Sequence, residues 1–423
     1  MVKAPSGRLI FINLAIDQLW DSTGHLQRLY PVKIPDSESL VRSNEDLGLF
    51  LSGPGDTVLG AHFDPAHLKL LERWSSPFGT PVNVRSNPWD LHHWVDEVGQ
   101  MPIATTDLEL WPCSLSSLES SLLKKQSQWK LPDWLPAGLN VTAYNQKTEI
   151  FKWGEVSGLP VPPTAVVSIA KLLNDGPPAE IAYPLILKAD WGSGGTGNLL
   201  LTGKDDHRWR HFQRQLRGQT AGRWLAQTVV KSDGDLTVFG FGGDSTPKIL
   251  RVDYDADGVS IRHREMGLED DVSLRKAFAK VSAHLKEAGY NGPFSFDVVK
   301  EKGSGVFHLL DMNVRWTRTH LVHVAAQRLG WGWGQVESRR LRFRGRPIGS
   351  FASWWSEIGK SLGIDETGID ERGNLFLPFL MGATSSAGPG MKEVSFFVSK
   401  DPDWIQKVHA AIQYHAAPES VAG

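Results

Sequence analysis

The chain has 423 residues, 41% of them hydrophobic and 22% charged, with a formal net charge of −2. That is the composition of a globular protein long enough for two or three domains, and its near-neutral balance supplies no basic field for nucleic acid or an anionic membrane. The one cysteine, Cys113, excludes an intrachain disulfide framework and a thiolate metal cluster within one chain.

The opening MVKAPSGRLIFINLAIDQ holds an apolar run too weak for a secretory signal and suited to a first β-strand over 8–16. No stretch approaches the ~20 apolar residues of a membrane span, so the expected location is cytoplasmic. A short apolar run, LGLFLSG at 47–53, follows, then DTVLGAH, a helical DPAHLKLLERW from Asp64, strand PVNVRS at 81–86 and helix DLHHWVDEV. Alternating strand and helix patterns predict an α/β layer domain without a glycine-rich dinucleotide turn. The breaker-rich LPDWLPAGLN at 131–140 ends it.

From about 141 the segment NQKTEIFKWGEVSG reads as a helix that the prolines of LPVPPT stop. Strand PLILK, a glycine-rich loop, strand NLLLT, a helix over 205–218, strand WLAQTVV and the alternating LTVFGFGG come next. A β-rich stretch, KILRVDYDADGVSIRHRE, and helix LRKAFAKVSAHLKEAG lead to a hairpin, and HLVHVAAQRLG at 320–330 is a helix after it. The region beyond 341 has its own texture, with strand EVSFFVS and helix DPDWIQKVHAAIQYH. Seventeen tryptophans are expected mostly in cores, with Trp191 and Trp316 placed to touch a ligand.

Four segments carry candidate chemistry. In FSFDVVKEKGSGVFHLLDMNVRWTRTH, turns at Gly303 and Gly305 fold one strand back on another, setting Asp297 beside Asp311 and Asn313, which alternate onto one face. An all-oxygen, two-carboxylate set suits Mg²⁺, which keeps positions for nucleotide phosphates, and Arg315 shares that face. Alone, the segment is equally an ordinary hairpin with solvated acids. In PLILKADWGSGGTGNLLL, Lys188 ends a strand and Gly192, Ser193, Gly194 and Gly195 lie in a loop whose N–H groups can approach phosphate oxygens. No Gly-Lys-Ser/Thr makes it a Walker loop, and a flexible hairpin fits as well. Lys147 opens the helix near 147, and in AQTVVKSDGDLTV the backbone from Gln227 to Val229 and Val230 can lie along a flat base, with Asp235 accepting a ribose hydroxyl. Arg262 and Arg264 in SIRHRE suit a carboxylate clamp or pairing with Glu265.

The order of these parts over 141–330 resembles the ATP-grasp superfamily. The resemblance implies ATP and Mg²⁺ as cofactors. Lys147, Lys188 and the loop Asp190–Gly197 correspond to the phosphate-binding parts, as in amide-forming ligases such as D-alanine–D-alanine ligase. Asp297, Asp311 and Asn313 correspond to the metal ligands, and Arg315 to the arginine that follows the Asn. Two positions depart from the pattern: Asp311 stands where Glu is usual, and Gln227 stands where the hinge usually opens with Glu. The run N-V-R-W-T-R-T-H, with Thr319 and His320, is similar to a signature of pheganomycin-type peptide ligases.

That resemblance implies an α/β fold of three parts: a pre-ATP-grasp α/β domain over 1–140, a two-lobed ATP-grasp catalytic domain over 141–340 and a small C-terminal α+β domain over 341–423. It implies ATP-dependent joining of a small amino-acid-like carboxylate to the amine of an amino acid or peptide, through an acyl phosphate, in specialised metabolism. Arg315 would stabilise the tetrahedral oxyanion, and His320 would meet the substrate or cap a helix. Many members are dimers, so a homodimer is the implied assembly, with neither nucleic acid nor membrane as partner. A small-molecule kinase, a ligase to another acceptor and a non-catalytic ATP-binding protein share the same parts.

Overall fold

Three sheets carry the chain in the computed structural model, which describes residues 7–416 except 13–43, 61–62, 85–90, 102–106, 115–116, 137–138, 192–196, 220, 255–259, 266, 268–270, 345–349 and 383–390. The first is four-stranded and parallel, in the order β3-β2-β1-β4. Its strands are β1 (Gly7–Phe11), β2 (Thr57–Gly60), β3 (Thr80–Asn83) and β4 (Leu108–Pro112). Helices α1 (Pro65–Glu72), α2 (Leu91–Gly99) and α3 (Ser117–Lys125) connect and flank them. Helix α1 begins where the sequence places it. Asp64 accepts from the N–H groups of Ala66 and His67, and Pro65 occupies the first helical turn, where no intrahelical donor is lost. The apolar run near 47 is a 3₁₀ segment, Asn44–Leu51, that buries Leu47, Leu49 and Phe50 in the largest core.

The stretch after 140 is not one helix. It breaks into α4 (Val141–Tyr144), a 3₁₀ turn (Lys147–Glu149) and α5 (Ile150–Ser157). The Asn145 side chain causes the break: it donates to Val141 O and Val314 O and accepts from Val314 N, so this corner is tied to a distant loop. Gly158, at φ +75°, closes α5 in the left-handed conformation that glycine adopts without steric cost.

A second sheet, in the order β5-β8-β6-β7, is antiparallel. It comprises β5 (Thr164–Ser168), β6 (Leu185–Ala189), β7 (Asn198–Leu201) and β8 (Arg223–Thr228), with α6 (Ile169–Asp175) and α7 (His207–Gln215) on it. Leu185, Leu187, Trp224 and Ala226 are among the residues of its core.

The third sheet has eight strands in the order β13-β12-β9-β10-β11-β14-β16-β15. They are β9 (Ser232–Phe241), β10 (Lys248–Tyr254), β11 (Ser260–Glu265), β12 (Pro293–Glu301), β13 (Phe307–Asn313), β14 (Val336–Arg344), β15 (Phe376–Gly382) and β16 (Met391–Ser399). Helices α8 (Val272–Glu287), α9 (Arg318–Arg328), α10 (Phe351–Leu362) and α11 (Pro402–Ala416) complete the fold. Leu236, Val238, Phe296, Val298 and Leu309 face α5 and α8 and form one core with them. Residues at alternate positions therefore face the other side. There the sheet curls around α9, whose His320 reaches the Gly240 carbonyl on β9 while its Arg318 reaches Ser395 on β16. No helix among the described residues is long and apolar enough to cross a membrane.

Candidate active site

The hairpin β12–β13 sets the carboxylates. Asp297 pairs directly with Asp311, and Ser295 with Asn313, so Asp297, Asp311 and Asn313 share one face. The pairing then slips: Val298 opposes Leu309, leaving Leu310 as an extra residue in β13. Such a bulge re-aims the backbone locally, and the Leu310 carbonyl accepts from Lys188 Nζ at 3.0 Å.

On β12 the apolar alternates Phe296 and Val298 lie in the core, which leaves Asp297 on the opposite, site-facing side. Thr237, its register partner on β9, donates to Asp297 Oδ1 at 2.6 Å. Burial and the neighbouring Asp311 charge push the Asp297 carboxyl up to about 7. Asp235, two positions before Thr237 on the same face, is also raised, chiefly by burial.

Two lysines face these acids. Lys188 comes from β6 of the small sheet, buried, and donates to Gln227 Oε1 at 2.9 Å as well as to Leu310 O. Burial lowers it to about 8, against the opposing pull of Asp311. Lys147 sits in the 3₁₀ turn with its Nζ 2.5 Å from Asp311 Oδ2. Asp190, at the end of β6, holds that turn in place. Its carbonyl accepts from Lys147 N, and its carboxylate accepts from Thr148 N, Thr148 Oγ1 and Arg223. Asp190, Thr148 and Arg223 therefore fix one phosphate-lysine candidate relative to the other.

Several expectations change in detail. Gln227 is engaged at both ends of its amide: its oxygen accepts from Lys188 and its nitrogen donates to Thr164 Oγ1. The Val229 N–H goes to Pro184 O, so that donor holds the hinge together, and Val230 follows it, half-buried. Arg315 is buried, with Nη2 donating to Asn313 Oδ1 at 3.0 Å. His320 caps α9 reciprocally with Thr317 and lies within 3.3 Å of the carbonyls of Phe294 and Gly240, and burial lowers it to about 3. It is a buried capping group. Trp316 is buried in the core and Trp191 packs beside it. Gly192, Ser193, Gly194 and Gly195 lie outside the described residues; Gly197, at φ +78°, lends its carbonyl to Ala189 N.

Arg262 and Arg264 face away from the acids. Asp235 pairs with Val252 and Val252 with His263, so His263 faces the site and its neighbours in sequence face the far side. There Arg262 pairs with Glu337 and Asp253, and Arg264 with Asp253. The sequence reading missed Thr237, Asn145, Thr148 and Arg223, short or common polar residues whose roles arise only from partners far along the chain.

Among the described residues no three His, Cys, Asp or Glu side chains are gathered to hold a metal ion. The set here is two carboxylates and an amide, Asp297, Asp311 and Asn313. A carboxyl raised first by burial and then by its carboxylate neighbour is a site that a hard dication relieves, so the donor set fits Mg²⁺.

No protein-family model matches the sequence, and a comparison with curated proteins finds no match. Solved structures do match nearly end to end. The L-amino acid ligase from Bacillus licheniformis superposes with a TM-score of 0.53 at 10% identity, covering 97% of this chain and 98% of that one. Carboxyaminoimidazole ribonucleotide synthase from Aspergillus clavatus, complexed with ATP, gives 0.53 at 15% identity over 97% and 99%. The ADP complex of N5-carboxyaminoimidazole ribonucleotide synthetase gives 0.52 at 12% identity over 97% of both chains. These neighbours are ATP-grasp carboxylate–amine ligases, and this chain has the ATP-grasp fold.

Proposed function

We propose that the protein is an ATP-dependent carboxylate–amine ligase that forms an amide or peptide bond through an acyl phosphate, joining a small amino-acid-like carboxylate to an amino acid or peptide amine. One observation carries this reading. Two lysines from separate elements and two carboxylates from paired strands converge between the small sheet and the large one. Nucleotide phosphates need cationic side chains on one side and a dication on the other.

Asp297, Asp311 and Asn313 would hold Mg²⁺, which when bound supplies charge neutralisation for the terminal phosphates of ATP. Lys147 and Lys188 bind phosphate oxygens, with Gln227 and Leu310 O aiming Lys188. The backbone from Gln227 to Val230 and the Asp235 carboxylate seat the adenosine. Gly192, Ser193, Gly194 and Gly195, by their sequence, suit backbone contacts with the triphosphate. The donor carboxylate attacks the γ-phosphorus and ADP leaves, a step that depends on positioning and charge. The amine then attacks the acyl carbon, phosphate leaves, and Arg315 stabilises the oxyanion. The catalytic unit is taken as 141–340, flanked by 1–140 and 341–423.

The test is ADP release with MgATP across a matrix of small acids and amines, with products weighed by mass spectrometry. ADP that needs both an acid and an amine, with a condensed product, supports the ligase. ADP with one substrate and a phosphorylated product replaces it with a kinase, and ATP binding without turnover across the matrix counts against either enzyme.

A further inference from the structure

A second concave site lies beside the turn that presents Lys147. A pocket of about 210 Å³ is lined by Asn140, Ala143, Tyr144, Glu149, Lys152 and Trp153. The first three belong to α4 and its cap, the others to the 3₁₀ turn and α5, so the pocket spans the break at Asn145. None of the lysines or carboxylates of the candidate active site lines it. Trp153, 1% exposed, donates its indole N–H to Tyr144 O at 3.2 Å, and the two rings sit 5.7 Å apart, tilted by 56°. They give the pocket an aromatic wall.

Two opposite charges accompany that wall, and neither is paired. Glu149 is half-buried and stands at the N-cap of α5 without a side-chain cap bond. Among the described residues its carboxylate has neither a hydrogen bond nor an ion pair. Lys152 is exposed, with Nζ 5.5 Å from the centroid of the Tyr144 ring and no carboxylate partner among the described residues. A Glu and a Lys three positions apart at the start of a helix are neighbours that commonly pair. Here they flank one cavity without meeting, which complements a ligand that carries both charges itself. The aromatic faces add to the hold on its cation. Asn140 uses its amide oxygen on Ala143 N at 3.2 Å, which leaves its amide nitrogen as a further donor. At ~30 Å³ per water-sized atom the pocket holds about seven non-hydrogen atoms, the size of serine or valine and far below a nucleotide.

We propose that this pocket binds a small free α-amino acid, with its ammonium on Glu149 and the aromatic faces and its carboxylate on Lys152. Side chains three positions apart on a helix start from Cβ atoms ~5–6 Å from one another, so the two charges of a single α-carbon can reach both. The site lies apart from the proposed ATP-grasp chemistry and stands whether or not the ligase reading does.

The test is calorimetric titration of the full chain, without nucleotide or Mg²⁺, with L-alanine, L-serine, L-proline, L-threonine and L-valine. Each is compared with its decarboxylated amine and its deaminated acid. At least one amino acid binds with a Kd of about 1 mM or tighter, and each of its half-molecules binds at least about tenfold more weakly, the loss of one charge-assisted contact. Glu149→Gln and Lys152→Gln each weaken the binding about tenfold, and the double variant abolishes it. Neither side chain holds the fold through a hydrogen bond or an ion pair, so these variants fold, and the comparison of amino acid with half-molecules needs no variant at all. No binder in the panel, or half-molecules that bind as tightly as the amino acid, overturns the proposal. Binding that survives the double variant also overturns it, and moves the amino acid to the candidate active site.

Discussion

Lys147 and Asp311 form a 2.5 Å ion pair between the 3₁₀ turn and β13, joining a proposed phosphate ligand to a proposed metal ligand. Each neutralises the other, so both must change partner when nucleotide and metal enter. The Lys147 side chain is 7% exposed and that of Asp311 20%, and removing one member leaves a buried charge without its counterion.

Asp311→Ala is therefore expected to lower stability by roughly 3 kcal/mol and to abolish ADP release. The double variant Lys147→Met, Asp311→Leu recovers most of the stability in urea unfolding and none of the turnover. Lys147→Met alone binds Mg²⁺ about tenfold more tightly, because no cation competes, and MgATP about tenfold more weakly. Turnover by Asp311→Ala would remove Asp311 from the metal site.

At the proposed metal site, Asp297 is expected to make Mg²⁺ binding depend on pH. Its carboxyl is raised to about 7 in the folded protein, above ~3.9 for an unfolded Asp. The folded chain thus keeps a proton that the unfolded chain gives up. This group's contribution to stability is full below pH ~4 and lost as pH rises through about 7. A dication must expel that proton, so Mg²⁺ affinity measured by calorimetry rises about tenfold per unit up to about pH 7 and then levels. Equal affinity at pH 6 and pH 8 would contradict it.

Thr237 is a positioning residue for that carboxylate. Its hydroxyl bond is a lowering influence on the Asp297 carboxyl. Thr237→Val shifts the Mg²⁺ binding profile to higher pH by about one unit and leaves the plateau affinity above it within about threefold of the parent. An unmoved profile would mean that Thr237 only packs.

Buried His263 and His320 and half-buried His323 contribute to the acid limit of the fold. Burial lowers His263 and His320 to about 3 and His323 to about 4, below ~6.5 for the unfolded chain. The unfolded state binds these protons first, so their contribution is present above pH ~6.5 and lost as pH falls. Asp297 works the other way, leaving about two protons net near pH 5 and a loss of roughly 3 kcal/mol per unit from these four groups. Urea unfolding between pH 5 and 6.5 measures that slope, and His320→Asn reduces it by about one proton. An unchanged slope would show that His320 is charged when folded.

Periodicity and turn residues were enough to place most elements. The GSG turn and the alternation around Asp311 foretell the hairpin, and the apolar strand PLILK foretells Lys188 at its end. The single helix expected after 140 is interrupted where Asn145 bonds to Val314, 169 positions away, which no local pattern reveals.

The sequence by itself determined which residue types are present in which order: two lysines, a glycine loop, two acids and an amide, carried by strands whose period of two assigns each a face. Tertiary structure decided everything that depends on pairing register. A single extra residue, Leu310, supplies an acceptor for Lys188. The pairing of Val252 with His263 turns Arg262 and Arg264 away from the acids and leaves Arg340 on their side. Alternation fixes that neighbours in a strand face opposite ways, but which of the two faces meets the site depends on partners contributed by distant parts of the chain.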